Sequence, residues 1–134
     1  MILTSQLINS DSISPFVKMF HVFGHGIANG VPEHIHLQRM LNETAGQMGL
    51  LILKDSKPVA LATLVPGLVE DSHFPDAGLI CVYVAGNLGF SGARYLHRCL
   101  RELAEANGAA WYSMSSRVST YEYRNRYYPV GGHP

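Results

Sequence analysis

The spacing of hydrophobic residues over the first third of the chain predicts one strand followed by two helices. Loose alternation of apolar and polar residues from Ile2 to Ile8 is typical of a strand. Pro15 and Pro32 each suit the first turn of a helix, and glycines follow both segments, at Gly24 and at Gly46. The apolar residues after these prolines recur at helical spacing: Phe16, Met19, Phe20 and Phe23 in the first helix, and Leu37, Met40 and Leu41 in the second.

The middle of the chain predicts a hairpin and then a further strand. Two apolar runs, Gly49–Lys54 and Pro58–Val65, are separated by the polar turn Asp55-Ser56-Lys57. After a loop from Pro66 to Ala77, the run Leu79–Val84 is apolar at consecutive positions. Such a strand presents apolar side chains on both faces, which indicates a central place in a sheet.

The segment from Leu79 to Asn107 predicts a strand, a glycine-bearing turn and an amphipathic helix that begins near Arg94. Leu96, Leu100, Leu103 and Ala104 share one helical face, and Gly108 suits the end of the helix. A helix that starts after a glycine-rich turn leaves unpaired backbone N–H groups at its first turn. These donors and the positive end of the helix dipole favour an anionic phosphate.

The last part of the chain predicts a strand at Ala110–Ser115 and a final helix over Thr120–Tyr128, ending before Pro129. Arginines alternate with tyrosines here, at Arg117, Arg124 and Arg126. In a neutral protein we interpret them as a charged helix face or an assembly contact, not as a nucleic-acid site. The whole order of elements predicts an α/β fold around a mixed sheet, in a single domain spanning residues 1–134.

Composition restricts the class of protein. Of the 134 residues, 47% are hydrophobic and 15% charged, and ten basic residues balance ten acidic ones. This balance gives no general attraction to nucleic acid or membranes, and it does not oppose self-association. Cys81 and Cys99 fall in a predicted strand and a predicted helix, which indicates core thiols rather than a disulfide. With no secretory signal or membrane-length apolar run, we expect a cytoplasmic protein.

The order of elements resembles the GNAT (Gcn5-related N-acetyltransferase) fold. That family has the pattern Gln/Arg-x-x-Gly-x-Gly/Ala at the start of its central helix, and Leu88–Ala93 aligns with it. Gly89 and Ala93 fit the pattern, whereas Leu88 replaces Arg or Gln and Ser91 replaces a glycine. The tyrosines of Tyr121-Glu122-Tyr123 and Tyr127-Tyr128 resemble most the small GNAT-like proteins carried by bacteriophages.

This resemblance implies transfer of an acetyl group from acetyl-CoA directly to the amine of a small molecule or protein. It implies that CoA is bound by the strand residues Val82, Tyr83 and Val84 and by the loop residues Gly89, Phe90, Ser91, Gly92, Ala93 and Arg94. It further implies a C-terminal tyrosine, Tyr127 or Tyr128, as the acid toward the thiolate. His34 and His36 would line the acceptor site, which the family builds from its first two helices.

Several alternatives stay open. Glu70, Asp71 or Asp76 would act as a base through water, and a metal ion bound by the histidine pair His21 and His25 is a third, weaker hypothesis. Some phage proteins of this type are virion components, so a non-catalytic assembly protein is the main alternative function. Because the family usually adds two strands after its last helix, the chain is expected to lack those strands. The exposed sheet edge would then bind a second copy or a phage partner.

Overall fold

The computed structural model describes residues 1–21, 30–68, 74–119 and 121–130, with 117 and 118 described by their backbone alone. The elements in chain order are strand β1 (Leu3–Ile8), a 3₁₀ turn (Ser10–Ser12), helix α1 (Ser14–Phe20), helix α2 (Glu33–Thr44), strands β2 (Met48–Lys54), β3 (Lys57–Gly67) and β4 (Gly78–Gly86), helix α3 (Gly89–Ala106), and strands β5 (Trp111–Ser119) and β6 (Glu122–Pro129). The mixed α/β fold predicted from the sequence is confirmed.

The strands form one six-stranded sheet in the order β1-β2-β3-β4-β5-β6. All neighbours are antiparallel except β4 and β5, which are parallel and are joined by α3. The predicted hairpin is present as β2 and β3, and its turn residues Asp55 and Ser56 have φ of 50° and 67°. Positive φ at both positions matches the twist of two antiparallel strands.

Helices cover the two faces of the sheet, and each face has its own core. Leu96, Leu100 and Ala104 of α3 pack with Cys81 and Tyr112 on one face. On the other face, Val17 and Phe20 of α1 and Met40 of α2 pack with Leu51, Leu61 and Ala85. Neighbouring strand residues therefore alternate between the α3 core and the α1–α2 core, as the strand period of two requires.

The predicted final helix is wrong, because residues 122–129 form strand β6. This strand runs antiparallel to β5, with Trp111 opposite Pro129 and Arg117 opposite Tyr123. Tyrosine favours strands, but residues 122–127 are exposed on both faces, so no alternation of apolar and polar residues revealed the period of two. The predicted start of α3 is also late, since the glycine-bearing segment 89–93 forms the first turn of the helix instead of a loop.

Trp111 is held in a slot whose floor is the backbone of two paired glycines, Gly67 and Gly78. A Cβ atom at Gly67 would lie 2.7 Å from the Trp111 ring, and one at Gly78 would overlap the ring. The indole Nε1 donates a hydrogen bond of 2.9 Å to the backbone carbonyl of Asp76. Trp111 thus fixes the first paired residues of β4 and β5.

Replacing Gly78 by alanine should lower the free energy of unfolding by about 1–3 kcal/mol, because the added methyl group displaces the Trp111 ring. Urea denaturation measures this effect. In a Trp111→Val background the same substitution should cost much less, since the clash is gone. Additive effects of the two substitutions would contradict this description of the slot.

Candidate functional site

Strands β4 and β5 separate halfway along their length. Their pairing runs from Gly78 opposite Trp111 to Cys81 opposite Met114 and then stops. Beyond this point β4 continues to Gly86, and no strand in the described part of the chain pairs with it on its β5 side, while β5 continues to Ser119 paired with β6. We call this opening the splay. The backbone N–H and C=O groups of residues 82–84 that point into the splay form no hydrogen bonds to any strand in the described part of the chain.

A bulge lies in β4 at the start of the splay. In the pairing of β3 with β4, Leu64 lies opposite Cys81 and Thr63 lies opposite Tyr83, so Val82 has no partner residue. A bulge bends its strand and turns backbone groups out of the regular ladder. The three residues predicted to bind the pantetheine arm, Val82, Tyr83 and Val84, are therefore the residues at which β4 leaves β5.

A cleft of about 630 Å³ opens on the α2 side of the splay. Its walls are residues 82–84 of β4, residues 114–116 of β5, Tyr123 of β6, and His36, Arg39, Met40 and Glu43 of α2. The α2 residues recur at a spacing of three or four and so form one helical face. One helix and three strands thus contribute to a single cavity.

Tyr83 extends from β4 into the floor of this cleft. Its hydroxyl is buried and has no hydrogen-bond partner among the described residues. Burial, with a smaller contribution from the negative charge of Glu43, raises the pKa of Tyr83 to about 12. The hydroxyl therefore stays protonated at neutral pH and is suited to donate a hydrogen bond.

The two histidines predicted to line an acceptor site are separated by the geometry of α2. His36 is 5% exposed and lies in the cleft, where its Nε2 has no hydrogen-bond partner among the described residues. His34 is exposed and does not contact the cleft, because residues two apart on a helix lie on nearly opposite sides. The geometry brings His36 alone of this pair to the site.

The predicted phosphate-binding residues form the first turn of α3. Leu88 precedes the helix and no side chain caps the free N–H groups. Gly89 has φ of +65°, a conformation that glycine adopts readily, and Gly92 is buried close to Leu88. Phe90 is 80% exposed, and the Arg94 guanidinium lies 5.9 Å from its ring centroid. Ser91 and Ala93 are also exposed.

Tyr127 and Tyr128 lie where β4 and β5 are still paired, opposite Ser113 and Tyr112. The Tyr127 ring lies 4.8 Å from that of Phe74 and 5.3 Å from that of Trp111. Tyr128 stacks on Tyr112 at 4.9 Å and meets the edge of His97 at 5.0 Å. These predicted acids therefore belong to aromatic clusters, and neither lines the cleft.

Of the ionisable side chains in the alternative hypotheses, the structure describes Asp76 and His21, and neither lines the cleft. Asp76 lies just before β4, at the end of the strand away from the splay, whereas Glu70 and Asp71 lie outside the described residues. His21 binds the Lys18 carbonyl and the Glu33 carboxylate through its two ring nitrogens, at 2.8 and 3.0 Å. His25 is outside the described residues, and within them no group of three or more His, Cys, Asp or Glu side chains could hold a metal ion.

Sequence reasoning missed several residues of the cleft: Arg39, Met40, Glu43, Met114, Ser115, Ser116 and Tyr123. The signal for the α2 residues was present, because Arg39 and Glu43 follow His36 at helical spacing. Nothing in the sequence indicated the β5 and β6 residues, since their place depends on the end of the β4–β5 pairing.

Comparison with solved structures supports the fold. The crystal structure of an aminoglycoside acetyltransferase from an uncultured soil metagenomic sample superposes with a TM-score of 0.58 at 13% identity, covering 89% of this chain and 82% of that one. The fold is GNAT-like. A structure of AtaTR bound with AcCoA is also similar, with a TM-score of 0.48 and 12% identity over 87% of this chain and 78% of the other.

At the level of sequence, no family model matches the chain, and no curated protein matches it. The GNAT-like assignment therefore describes the fold. No helix within the described ranges is both long enough and apolar enough to cross a membrane.

The hydroxyl of Tyr83 has no hydrogen-bond partner among the described residues, whereas that of Tyr112 has one, and replacing each tyrosine by phenylalanine tests this difference. Tyr83→Phe should raise the free energy of unfolding by about 1 kcal/mol, because it removes a buried hydroxyl without a partner. Tyr112→Phe is the matched control and should lower it by about 1 kcal/mol, since the Tyr112 hydroxyl is 2.9 Å from Nδ1 of His97. Urea denaturation measures both, and equal destabilisation by the two substitutions would show that the Tyr83 hydroxyl has a partner.

Proposed function

We propose that this protein is an N-acetyltransferase that transfers an acetyl group directly from acetyl-CoA to an amine. The observation that supports this most strongly is the splay, where a free β4 edge, an uncapped helix N-terminus and a cleft with ionisable side chains lie at one end of the sheet. The GNAT-like fold shared with an aminoglycoside acetyltransferase is consistent with the proposal. The acceptor is an amine on a small molecule or a protein.

The splay suits CoA as co-substrate. An extended pantetheine arm has amide groups that can pair with the backbone of residues 82–84, much as an added strand would. The diphosphate would then lie at the first turn of α3, where the N–H groups of Gly89, Phe90, Ser91 and Gly92 and the helix dipole favour negative charge. Ala93 leaves room beside them, and Arg94 adds a positive charge.

The proposed reaction takes place in a ternary complex. The acceptor ammonium first loses a proton, and its nitrogen then attacks the thioester carbonyl carbon. As the C–N bond forms, negative charge develops on the carbonyl oxygen, and a backbone N–H group beside the Val82 bulge can stabilise it. The C–S bond then breaks and its electron pair leaves on sulfur. The nitrogen gives up its second proton to leave the neutral amide, and the thiolate takes up a proton.

On the acceptor side, the cleft offers polar groups suited to an amine. His36 Nε2 lies at its floor and Glu43 lies on the same face of α2. A carboxylate attracts an ammonium group, and an imidazole nitrogen can accept a hydrogen bond from it, while Arg39 on the same helical face can bind an anionic group of the acceptor. His34 is exposed on the other side of α2, so its role in binding the acceptor stays a prediction from the sequence.

An assembly role is the second candidate, and the outer edge of β6 supports it. Residues 122–127 are exposed, and no strand within the described residues pairs with this edge. A second copy of the chain or another assembly partner can add a strand there. Size-exclusion chromatography with light scattering tests self-association, for which a monomer at all concentrations would be the contrary result.

The Gly92→Val variant tests the CoA site, because its side chain crowds the first turn of α3 beside Leu88. Calorimetry should detect acetyl-CoA binding by the native protein and at least a tenfold weaker affinity in the variant. Gly108→Ala, at the other end of α3, is the control: it should reduce stability by about 1 kcal/mol and leave the affinity unchanged. No binding to the native protein at millimolar acetyl-CoA would reject the proposed function.

Tyr127→Phe and Tyr128→Phe test the acid predicted from the sequence. A tyrosine that protonates the thiolate should reduce kcat by about 10²-fold when replaced, with little change in acetyl-CoA affinity. Thiol release from acetyl-CoA with an aminoglycoside as acceptor provides the assay. Tyr83→Phe and Tyr123→Phe, which alter tyrosines of the cleft, should be measured beside them. Full activity in both the Tyr127→Phe and the Tyr128→Phe variants would show that neither tyrosine is the acid that protonates the thiolate.

A further inference from the structure

Strand β6 supplies a row of cations at the splay. We propose that Arg124 and Arg126 bind the phosphate groups of CoA, from the β5 wall of the splay and on the face of the sheet that carries α3. This inference rests on the proposed function and extends it, because the CoA-binding residues predicted from the sequence all lie in β4 and α3. It assigns to the last strand of the sheet a direct role in holding the co-substrate.

The strand geometry of β6 sorts its side chains into two sets. Alternate residues of a strand lie on opposite faces, so Arg124, Arg126 and Tyr128 share one face while Tyr123, Asn125 and Tyr127 share the other. The face of the first set is fixed by Tyr128, which contacts His97 of α3. The two arginines are therefore on the α3 side of the sheet.

The same geometry places the arginines at the open end of the splay. Arg126 lies opposite Met114, the last β5 residue that pairs with β4, and Arg124 lies opposite Ser116, beyond it. Because β4 and β5 are parallel and α3 follows β4, the first turn of α3 lies at this same end of the sheet. The arginines and the helix N-terminus therefore lie at the same end of the sheet.

The helix presents a matching face to β6. His97 contacts Tyr112 and Tyr128, so this face of α3 is directed toward β5 and β6. Phe90 precedes His97 by two helical turns and lies on the same face, at the first turn. Its ring is 80% exposed, which leaves an aromatic surface available to an adenine base beside the phosphates.

The charges of the arginines are available for a ligand. Arg124 and Arg126 are exposed, and the ion pair found within the described residues is that of His21 with Glu33. Glu122 ends the same face of β6 without forming an ion pair with either arginine in the described part of the chain. A guanidinium group can donate two parallel hydrogen bonds to one phosphate group, which suits it to this ligand.

Calorimetric titration of the full chain with CoA, and competition with pantetheine, which lacks the phosphates, tests this assignment. Replacing both arginines by alanine should weaken CoA affinity by about 10- to 100-fold and leave pantetheine binding within twofold. Arg124→Lys with Arg126→Lys should retain part of the affinity, because the charge remains. Arg98→Ala is the control for loss of an exposed arginine, since Arg98 lies more than two turns after Gly89, where α3 begins, and it should bind CoA as the native protein does.

The outcomes separate this inference from the proposed function. If the native protein binds CoA and the double alanine variant binds it equally well, the inference is wrong and the proposed function stands. An equal loss of pantetheine affinity would also overturn it, because the arginines would then support the fold instead of the phosphates. If the native protein binds no CoA, both fail. A larger loss for CoA than for dephospho-CoA would support the 3′-phosphate as the bound group, and an equal loss would support the diphosphate.

Discussion

The end of hydrogen bonding between β4 and β5 is the constraint on which the proposed site depends. Up to Cys81 and Met114 the two strands satisfy each other, and beyond them the backbone groups of each wall need another partner. The Trp111 slot fixes the paired half, and the bulge at Val82 begins the open half. If β4 and β5 were unpaired along their whole length, nothing would fix the width of the splay. If they were fully paired, there would be no splay.

The hairpin of β5 and β6 determines what surrounds this opening. Because β6 is a strand, its arginines and tyrosines are divided between the two faces of the sheet, which a helix would not do. Tyr127 and Tyr128 are then committed to aromatic clusters with Trp111 and Tyr112. Tyr123, at the open end, joins Tyr83 and His36 in the cleft. Because this segment is a strand and not the predicted helix, Tyr127 and Tyr128 lie away from the cleft, and Arg124 and Arg126 lie on the α3 side of the sheet.

Local signals in the sequence predicted the elements well where one residue dictates the backbone. Pro15 in the first turn of α1, the turn at Asp55-Ser56, and Gly108 with φ of +71° at the end of α3 are examples. β6 was missed because both of its faces are exposed along residues 122–127, and the splay because it depends on two strands far apart in the chain. The family resemblance predicted His36 as an acceptor-site residue, and it lies in the cleft, whereas Arg39 and Glu43 on the same helical face were overlooked.

Hydrogen–deuterium exchange in the presence and absence of acetyl-CoA tests most directly whether the splay is a co-substrate slot. The amides of residues 82–84 that point into the splay, and those of the first turn of α3, have no partner strand or capping side chain in the described part of the chain, so they should exchange rapidly in the free protein. Saturating acetyl-CoA should protect both segments together, with β1 and β2 unchanged. Exchange that is unaffected at 82–84, while acetyl-CoA binds elsewhere on the protein, would contradict the assignment of the splay.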